Sequence, residues 1–445
     1  MFRKWTLAAF SLLWFILSGC GGGAPMEEEA ASGSKPHEPI TLQAYAYAGA
    51  LNQDDFEKYV AAPLKAKFPY ITLEYVPNGK GTSPKELVTA GAMPDIVMTG
   101  LRQLITFQEL DVPVDLRKLA KKHQLDLSRY RQDAIEAITS YGTKGELYAV
   151  PFYVNFYAML YNKDLFDRFS VPYPTDQMTW DEVKVLAAKL SRVQDGVTYN
   201  GMQPADTIDT FGLGLSVPFI DEQTGRAKVA TDEWRKVFEI AKEFNTIPGN
   251  EPKDPKNMYK AVDQFFKDKN IAMMPYFGTR LQVAAKSDAE LGFQWDVVAF
   301  PSFKETPGKT AEVDAQVFAL SKTSQYPDEA FKVIQYLTAS EEIQASFVKL
   351  GRALPSLKDD KLLAHFGEEY PVLKSKNVQS IFKSTTKTPH KTHKYDDLVR
   401  GKIKNAFVEH LNGLDINSAL RKTEEEANKE IEALEKKLSS KLSLC

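Results

Sequence analysis

The residues able to do chemistry are few in type and widely scattered. His390 and His393 stand three apart in KTPHKTHK, a spacing open to zinc. No further ligand cluster lies near them in sequence, and a solvated basic loop accounts for them better. PNGKGTS, residues 77–83, has the look of a phosphate-binding loop. The earlier glycine that the G-x-x-x-x-G-K spacing demands is absent, so a loop after a strand is the better reading. No Gly-x-Ser-x-Gly occurs. With 59 acidic residues almost any carboxylate pair could be drawn, so composition alone does not point to the two acids of a glycosidase. Aromatic rings, by contrast, are abundant: 19 Tyr and 26 Phe supply flat apolar surface rather than reactivity.

The N-terminus has three parts. Arg3 and Lys4 supply positive charge, Trp5 to Leu17 is apolar, and Ser18 and Gly19 are small. This is the order of a secretory signal peptide. A membrane-spanning helix needs about 20 apolar residues, more than this run provides. Leu17-Ser18-Gly19-Cys20 resembles the lipobox of bacterial lipoproteins. That resemblance implies cleavage before Cys20 and a diacylglyceryl group on its thiol, so 1–19 would be the signal peptide. Residues 20–37, rich in Gly, Ser and Glu, then read as a flexible tether. With Cys20 lipidated, Cys445 stands alone. The chain can then form neither an internal disulfide nor a cysteine-based metal site.

The remaining roughly 400 residues suit two domains of ordinary size. A hydrophobic content of 43% permits a substantial core, and a net charge of −3 argues against nucleic acid as a partner. ITLQAYAY (40–47) alternates as a strand. The amphipathic stretch DDFEKYVAAPLKAKFP follows as a helix that Pro63 kinks. ITLEYVP is a second strand, SPKELVTAGAM a helix capped by Ser83 with Glu86 three residues on, and PDIVMTG a buried strand. Strand and helix alternating in this way predict a parallel sheet covered by helices. TWDEVKVLAAKLSR and TDEWRKVFEIAKEFN are helices capped by Thr179 and Thr231. NIAMMPYFG and FQWDVVAFPSF are strands, with Trp295 in the core, and Trp180 packs from its helix. YPDEAFKVIQYLTASEEIQASFVKLG holds one or two helices. Apolar residues at 416, 420, 427, 431, 434 and 438 predict one long C-terminal helix packed on the body.

In order and spacing these pieces resemble the extracellular solute-binding proteins of bacterial ABC importers, the sugar-binding type related to maltose-binding protein. AGAMPDIVMTG carries the resemblance at Gly91, Pro94, Asp95 and Ile96. GELYAVPFYVNFYAMLYNKDLF carries it at Pro151 and at Leu160 to Phe166, where the chain would cross into a second lobe. MTWDEV, FFKDKNIAMMPYFG, VVAFPSF and PDEAFKVIQYLTASEEIQ follow in the same order. The resemblance spans roughly 38–430 and departs at Lys267-Asp268-Lys269, where a glycine is usual. It implies a two-lobed, class II periplasmic-binding-protein-like α/β fold, each lobe a sheet flanked by helices, with a hinge between. The implied lobes are 38–152 plus 278–350 and 153–277 plus 351–445.

The resemblance further implies capture of a carbohydrate in the interlobe cleft and delivery to the transmembrane subunits of an ABC permease. The protein would be a monomer held to the membrane by its lipid, needing no cofactor or metal and having no catalytic residues. A secreted glycan-acting enzyme and a ligand-sensing partner of a signalling receptor are the competing classes. A sugar presents flat C–H faces and a rim of hydroxyls, so its site wants aromatic platforms beside planar hydrogen-bonding groups. The segments that the resemblance places at the cleft offer Tyr45, Tyr47, Gly100, Arg102, Tyr153, Asn155, Tyr276, Phe277, Arg280, Asp314, Gln316 and Arg352 as contacts. Tyr157 and Tyr161 read as core. An anionic ligand would draw on Arg102, Arg280 and Arg352.

Overall fold

The computed structural model describes residues 38–48, 51–204, 208–252, 260–387 and 389–442, with side chains described as far as residue 437. Cys20, Cys445 and the tether lie outside the described residues. Two sheets dominate. The first has six strands: β1 (Ile40–Ala46), β2 (Ile71–Pro77), β3 (Ile96–Gly100), β4 (Val150–Val154), β11 (Ala315–Leu320) and β12 (Leu354–Pro355), in the order β12-β4-β11-β3-β1-β2. β1 runs parallel to both β2 and β3, as the alternation of strand and helix before residue 100 predicts, whereas β11 runs antiparallel to β3 and β4. All five residues of β3 and of β4 are buried, which is why these strands read as apolar runs.

The second sheet has five strands: β5 (Tyr157–Asn162), β6 (Arg192–Gln194), β7 (Val197–Met202), β8 (Ile271–Phe277) and β9 (Trp295–Ala299), in the order β6-β7-β8-β5-β9. Strand alternation divides its side chains between two apolar clusters. Along β5, Met159 and Tyr161 join a cluster with Trp180, Phe211 and Phe238. Ala158 and Leu160 join another with Tyr276, Trp295 and Phe366. A short parallel pair, β10 (Lys309–Glu312) with β13 (Thr385–Lys387), lies outside both sheets.

The chain crosses between the two sheets twice. It passes from Val154 to Tyr157 and returns between Ala299 and Ala315; after Pro355 it leaves the first sheet and, among the described residues, adds no strand to either. The expected lobe boundaries need correction at the second crossing. β9 pairs with β5 across five register positions, so the segment after residue 278 stays with the second sheet up to Ala299. The first crossing also falls slightly later than residue 152, since Tyr153 and Val154 still pair in the first sheet.

The helices start where the sequence signals place them. Ser83 and Thr179 each close a capping box, with Glu86 and Glu182, at the heads of α1 (Pro84–Thr89) and α3 (Trp180–Leu190). α2 (Leu104–Glu109) follows β3, and Thr231 caps α4 (Asp232–Asn245). Pro327–Ala339 and Glu341–Lys349 form two helices, α5 and α6, with Ser340 between them capping the second. α7 (Asp396–Leu411) packs against the long α8 (Ile416–Leu442), whose Leu420, Ala427 and Ile431 are buried in the cluster holding Trp180. Among the described residues no helix is long and apolar enough to cross a membrane.

Candidate ligand-binding site

The crossing strands bring a compact polar group together. Asn155 sits in the two-residue gap between β4 and β5 and is 4% exposed. Its backbone N–H donates to the Asp314 carbonyl at 2.8 Å, and its side-chain Nδ2 donates to Asp314 Oδ2 at 3.1 Å. Residues from two crossings are thus tied directly to each other. Gln316, at the start of β11, pairs in register with Gly100 at the end of β3. A Cβ at Gly100 would come within 2.6 Å of Gln103 Oε1, so the absent side chain gives Gln103 room. Arg102 lies one turn beyond and reaches Glu312 Oε2 with Nη2 at 3.4 Å.

The electrostatics of this group are mutual. Burial raises the Asp314 carboxyl above its ordinary range, and Arg102 and the Asn155 hydrogen bond only partly offset this. Burial works against the charge on Arg102, yet Tyr157, Asp314, Glu312 and Asp209 together hold its proton more firmly than usual. Glu312 is 4% exposed and has the most partners. Ser216 Oγ donates to Glu312 Oε1 at 2.6 Å, and His390 Nδ1 lies 2.8 Å from the same oxygen. Burial pushes the Glu312 pKa up, but His390, Arg102 and Ser216 outweigh it and leave the carboxyl below its usual range. Burial likewise lowers His390, but Asp396 and Glu312 outweigh it and raise the imidazole to about 9.

Aromatic surface stands beside the polar group. The half-buried Tyr157 and Phe277 rings meet edge to face with centroids 5.4 Å apart. Tyr47, also half-buried, packs its ring on Phe107 of α2 at 5.2 Å. Between α2 and the start of α7 lies a cavity of about 350 Å³, lined in part by Arg102, Glu109, His390, Lys394, Asp396 and Arg400. Its volume falls near the small end of the range typical of small-molecule sites, about 300–1,000 Å³.

The structure gathers Gly100, Arg102, Asn155, Asp314 and Gln316 into one place, with Phe277 beside them through Tyr157. Arg352 adjoins this group and pairs with Asp55 at 2.8 Å, whereas Tyr153, 2% exposed, is a core residue stacked on Phe347 of α6 at 5.3 Å, against the expectation that it contacts ligand. The expectation for Tyr45 and Tyr276 is not met. Tyr45 is wholly buried in β1, its hydroxyl donating to Asn78 Oδ1 at 2.9 Å. Tyr276 is buried because strand alternation turns it to the face opposite Phe277, among Leu281 and Trp295. Arg280 lies on the helix Thr279–Lys286, half-buried, outside the contacts that build the polar group.

Sequence reading missed Glu312, Ser216, Asp396 and His390. His390 requires an outright correction: it is no solvated loop residue but bridges Glu312 and Asp396, 2.8 Å and 3.6 Å away. Its segment forms a strap over the crossing. Thr386 donates to Asp133 at 2.7 Å and Tyr141 to Thr392 at 2.8 Å on the first-sheet side. On the other side, Lys387 donates to the Leu215 carbonyl at 2.9 Å and Lys383 to Asp176 at 2.6 Å. Tyr157, read as core, is half-buried beside Arg102 instead. The signal for Glu312 in the sequence is its position two residues before Asp314, at the end of β10 and just ahead of β11.

Comparison with known proteins agrees with this architecture. Residues 49–344 match the family described as bacterial extracellular solute-binding protein, and the chain belongs to that family. Putative binding proteins of Brucella abortus and Brucella suis are each 23% identical over 288 residues, covering 63% of this chain and 66% of theirs. The chain thus spans just under two thirds of the length of these relatives. Among solved structures, an ABC substrate-binding protein of Listeria monocytogenes in complex with cycloalternan superposes with a TM-score of 0.73 at 19% identity, covering 88% of this chain and 99% of that one. A sugar transporter of Rhizobium etli in an open conformation gives 0.69 at 20% identity, covering 87% and 99%. The sugar-binding protein MalE of Xanthomonas citri gives 0.67 at 15% identity, covering 90% and 99%. The fold is the two-lobed one of these binding proteins.

Proposed function

We propose that this protein captures a carbohydrate between its two sheets and delivers it to an ABC permease. The observation that carries the reading is the polar group Asn155, Asp314, Gln316 and Arg102 set beside the Tyr157 and Phe277 rings where the chain crosses between sheets. Planar hydrogen-bonding groups suit hydroxyls, and the rings offer apolar surface to a sugar face. The Listeria relative's complex with cycloalternan supports the same class of ligand. Binding acts through the hinge: a ligand touching both lobes favours the closed form and shifts the population towards it. Cys20 carries the lipid that anchors the chain outside the cytoplasm, residues 20–37 give it reach, and a monomer meets the permease.

The site residues are Gly100, Arg102, Asn155, Phe277, Asp314 and Gln316, with Tyr47 and Arg352 at its margins. Thermal unfolding of the chain, screened against mono- and oligosaccharides, glucuronides and amino acids, tests the reading. A ligand present at 100 times its dissociation constant adds about 2.7 kcal/mol of stability. A sugar should raise the midpoint and be recovered unchanged. Turnover of a glycan would replace the receptor with an enzyme, and a shift given by amino acids alone would replace the ligand class.

A further inference from the structure

The cations around the cavity beside Arg102 are already matched. Arg102 faces Glu312 at 3.4 Å, Lys394 faces Glu109 at 3.4 Å, and Arg400 faces Asp209 at 3.6 Å. His390 lies between Glu312 and Asp396. Lys85 and Asp397, the remaining charges on the lining, are exposed and opposite in sign.

Two buried polar atoms of the lining lack a hydrogen bond among the described residues: Arg400 Nε, whose charge still faces Asp209 at 3.6 Å, and one oxygen of Asp396. Asp396 is 4% exposed, and its Oδ2 accepts the His393 backbone N–H at 2.9 Å. Its Oδ1 is buried and has no hydrogen-bond partner among the described residues. A buried acceptor without a donor is costly, so the position favours a ligand that donates.

This pattern discriminates by charge. A ligand carboxylate would have to displace Glu312 or Asp209 from its guanidinium, or else sit as a second anion beside it and beside Asp396. A neutral hydroxyl needs neither. It donates to Asp396 Oδ1 and accepts from the remaining N–H groups of the Arg102 fork. We propose that Glu312 and Asp396 set the charge selectivity of the ligand site, so that it takes an uncharged polyhydroxyl ligand and refuses a carboxylate-bearing one such as a uronate. The inference rests on the carbohydrate reading. Asp396 touches the ligand; Glu312 acts through Arg102 and is a positioning residue.

The test is calorimetric titration of the full-length chain with matched sugar pairs: D-glucose with D-glucuronate, D-galactose with D-galacturonate, and maltose with its uronic-acid derivative. The wild type should bind the neutral member of one pair at least about tenfold more tightly than its acid, because like charges meeting in a closed site are strongly disfavoured. Glu312→Gln keeps the shape but frees the Arg102 charge, and should shift that ratio about tenfold towards the acid. A merely structural loss would weaken both members alike. Asp396→Asn turns the free acceptor into a donor, and should weaken the neutral sugar about tenfold when titrated well below the variant's own unfolding midpoint. Preference of the wild type for the acid would overturn the inference. So would an unchanged ratio in Glu312→Gln together with unchanged affinity in Asp396→Asn. If the neutral sugars bind yet selectivity is absent, the inference alone falls. If no member of any pair binds, the carbohydrate reading falls with it.

Discussion

The floor of the site and its flank are held together by different physics. On the floor, Asn155, Asp314, Gln316 and Gly100 are placed by strand register and by hydrogen bonds between residues at the crossings. On the flank, Arg102, Glu312, His390 and Asp396 are placed by ion pairs that reach a segment mostly outside regular structure. The floor is geometry fixed by backbone. The flank is a balance of charges, and titration can undo it. The backbone-held group stays constant while the ion-paired group responds to protonation.

The largest effect should come from breaking the balance. Glu312→Ala leaves Arg102 and His390 without their shared anion in a buried place, and should destabilise the fold by about 3–5 kcal/mol, measured by urea unfolding. If Glu312 were only a surface acid, the loss would stay below about 0.5 kcal/mol.

Titration comes next. The folded-state pKa of His390 is raised from 6.5 to about 9, so its contribution is fully present below the unfolded value and fades as pH rises through 9. The groups facing it are Glu312, Asp396 and the Phe219 ring, with Arg102 and Arg400 beyond. Unfolding midpoints taken from pH 6 to 10 should therefore fall at the alkaline end. His390→Gln should flatten that slope; a slope identical in the variant would remove His390 from the balance.

On the floor, pH should matter less and hydrogen bonding more. Asn155→Ala removes the donor to Asp314 Oδ2 and leaves a buried acceptor unpaired, so it should cost about 1–3 kcal/mol of stability, read by urea unfolding, besides weakening the ligand. The smallest effect belongs to the strap. Thr392→Val deletes the contact with Tyr141 and should cost about 0.5–1.5 kcal/mol of stability at neutral pH.

The same division decides what was legible beforehand. The β3 strand, the caps at Ser83, Thr179 and Thr231, and the β5 strand at Tyr157–Asn162 announce themselves locally, in alternation and in short capping patterns. Asn155 and Asp314 were nameable because each borders a strand end. Tyr276 was misread because a one-residue step along β8 reverses the face, and nothing local said which of Tyr276 and Phe277 points inward. Glu312 and His390 lie 78 residues apart, and their pairing exists only after the chain has crossed between sheets. KTPHKTHK has the composition of a solvated loop, and the inward placement of His390 against Glu312 is a tertiary fact. The late handover at Ala299 escaped for the same reason: strand pairing, not composition, assigns β9 to the second sheet.

The most direct test of the central claim is a titration of wild type and Asn155→Ala, side by side, with the neutral sugar that most stabilises the wild type. The account predicts saturable one-to-one binding to the wild type, the sugar recovered intact, and an affinity at least about tenfold lower in the variant, titrated well below its own unfolding midpoint. Equal affinity in the two proteins would contradict it, because the ligand would then be held somewhere other than the crossing strands.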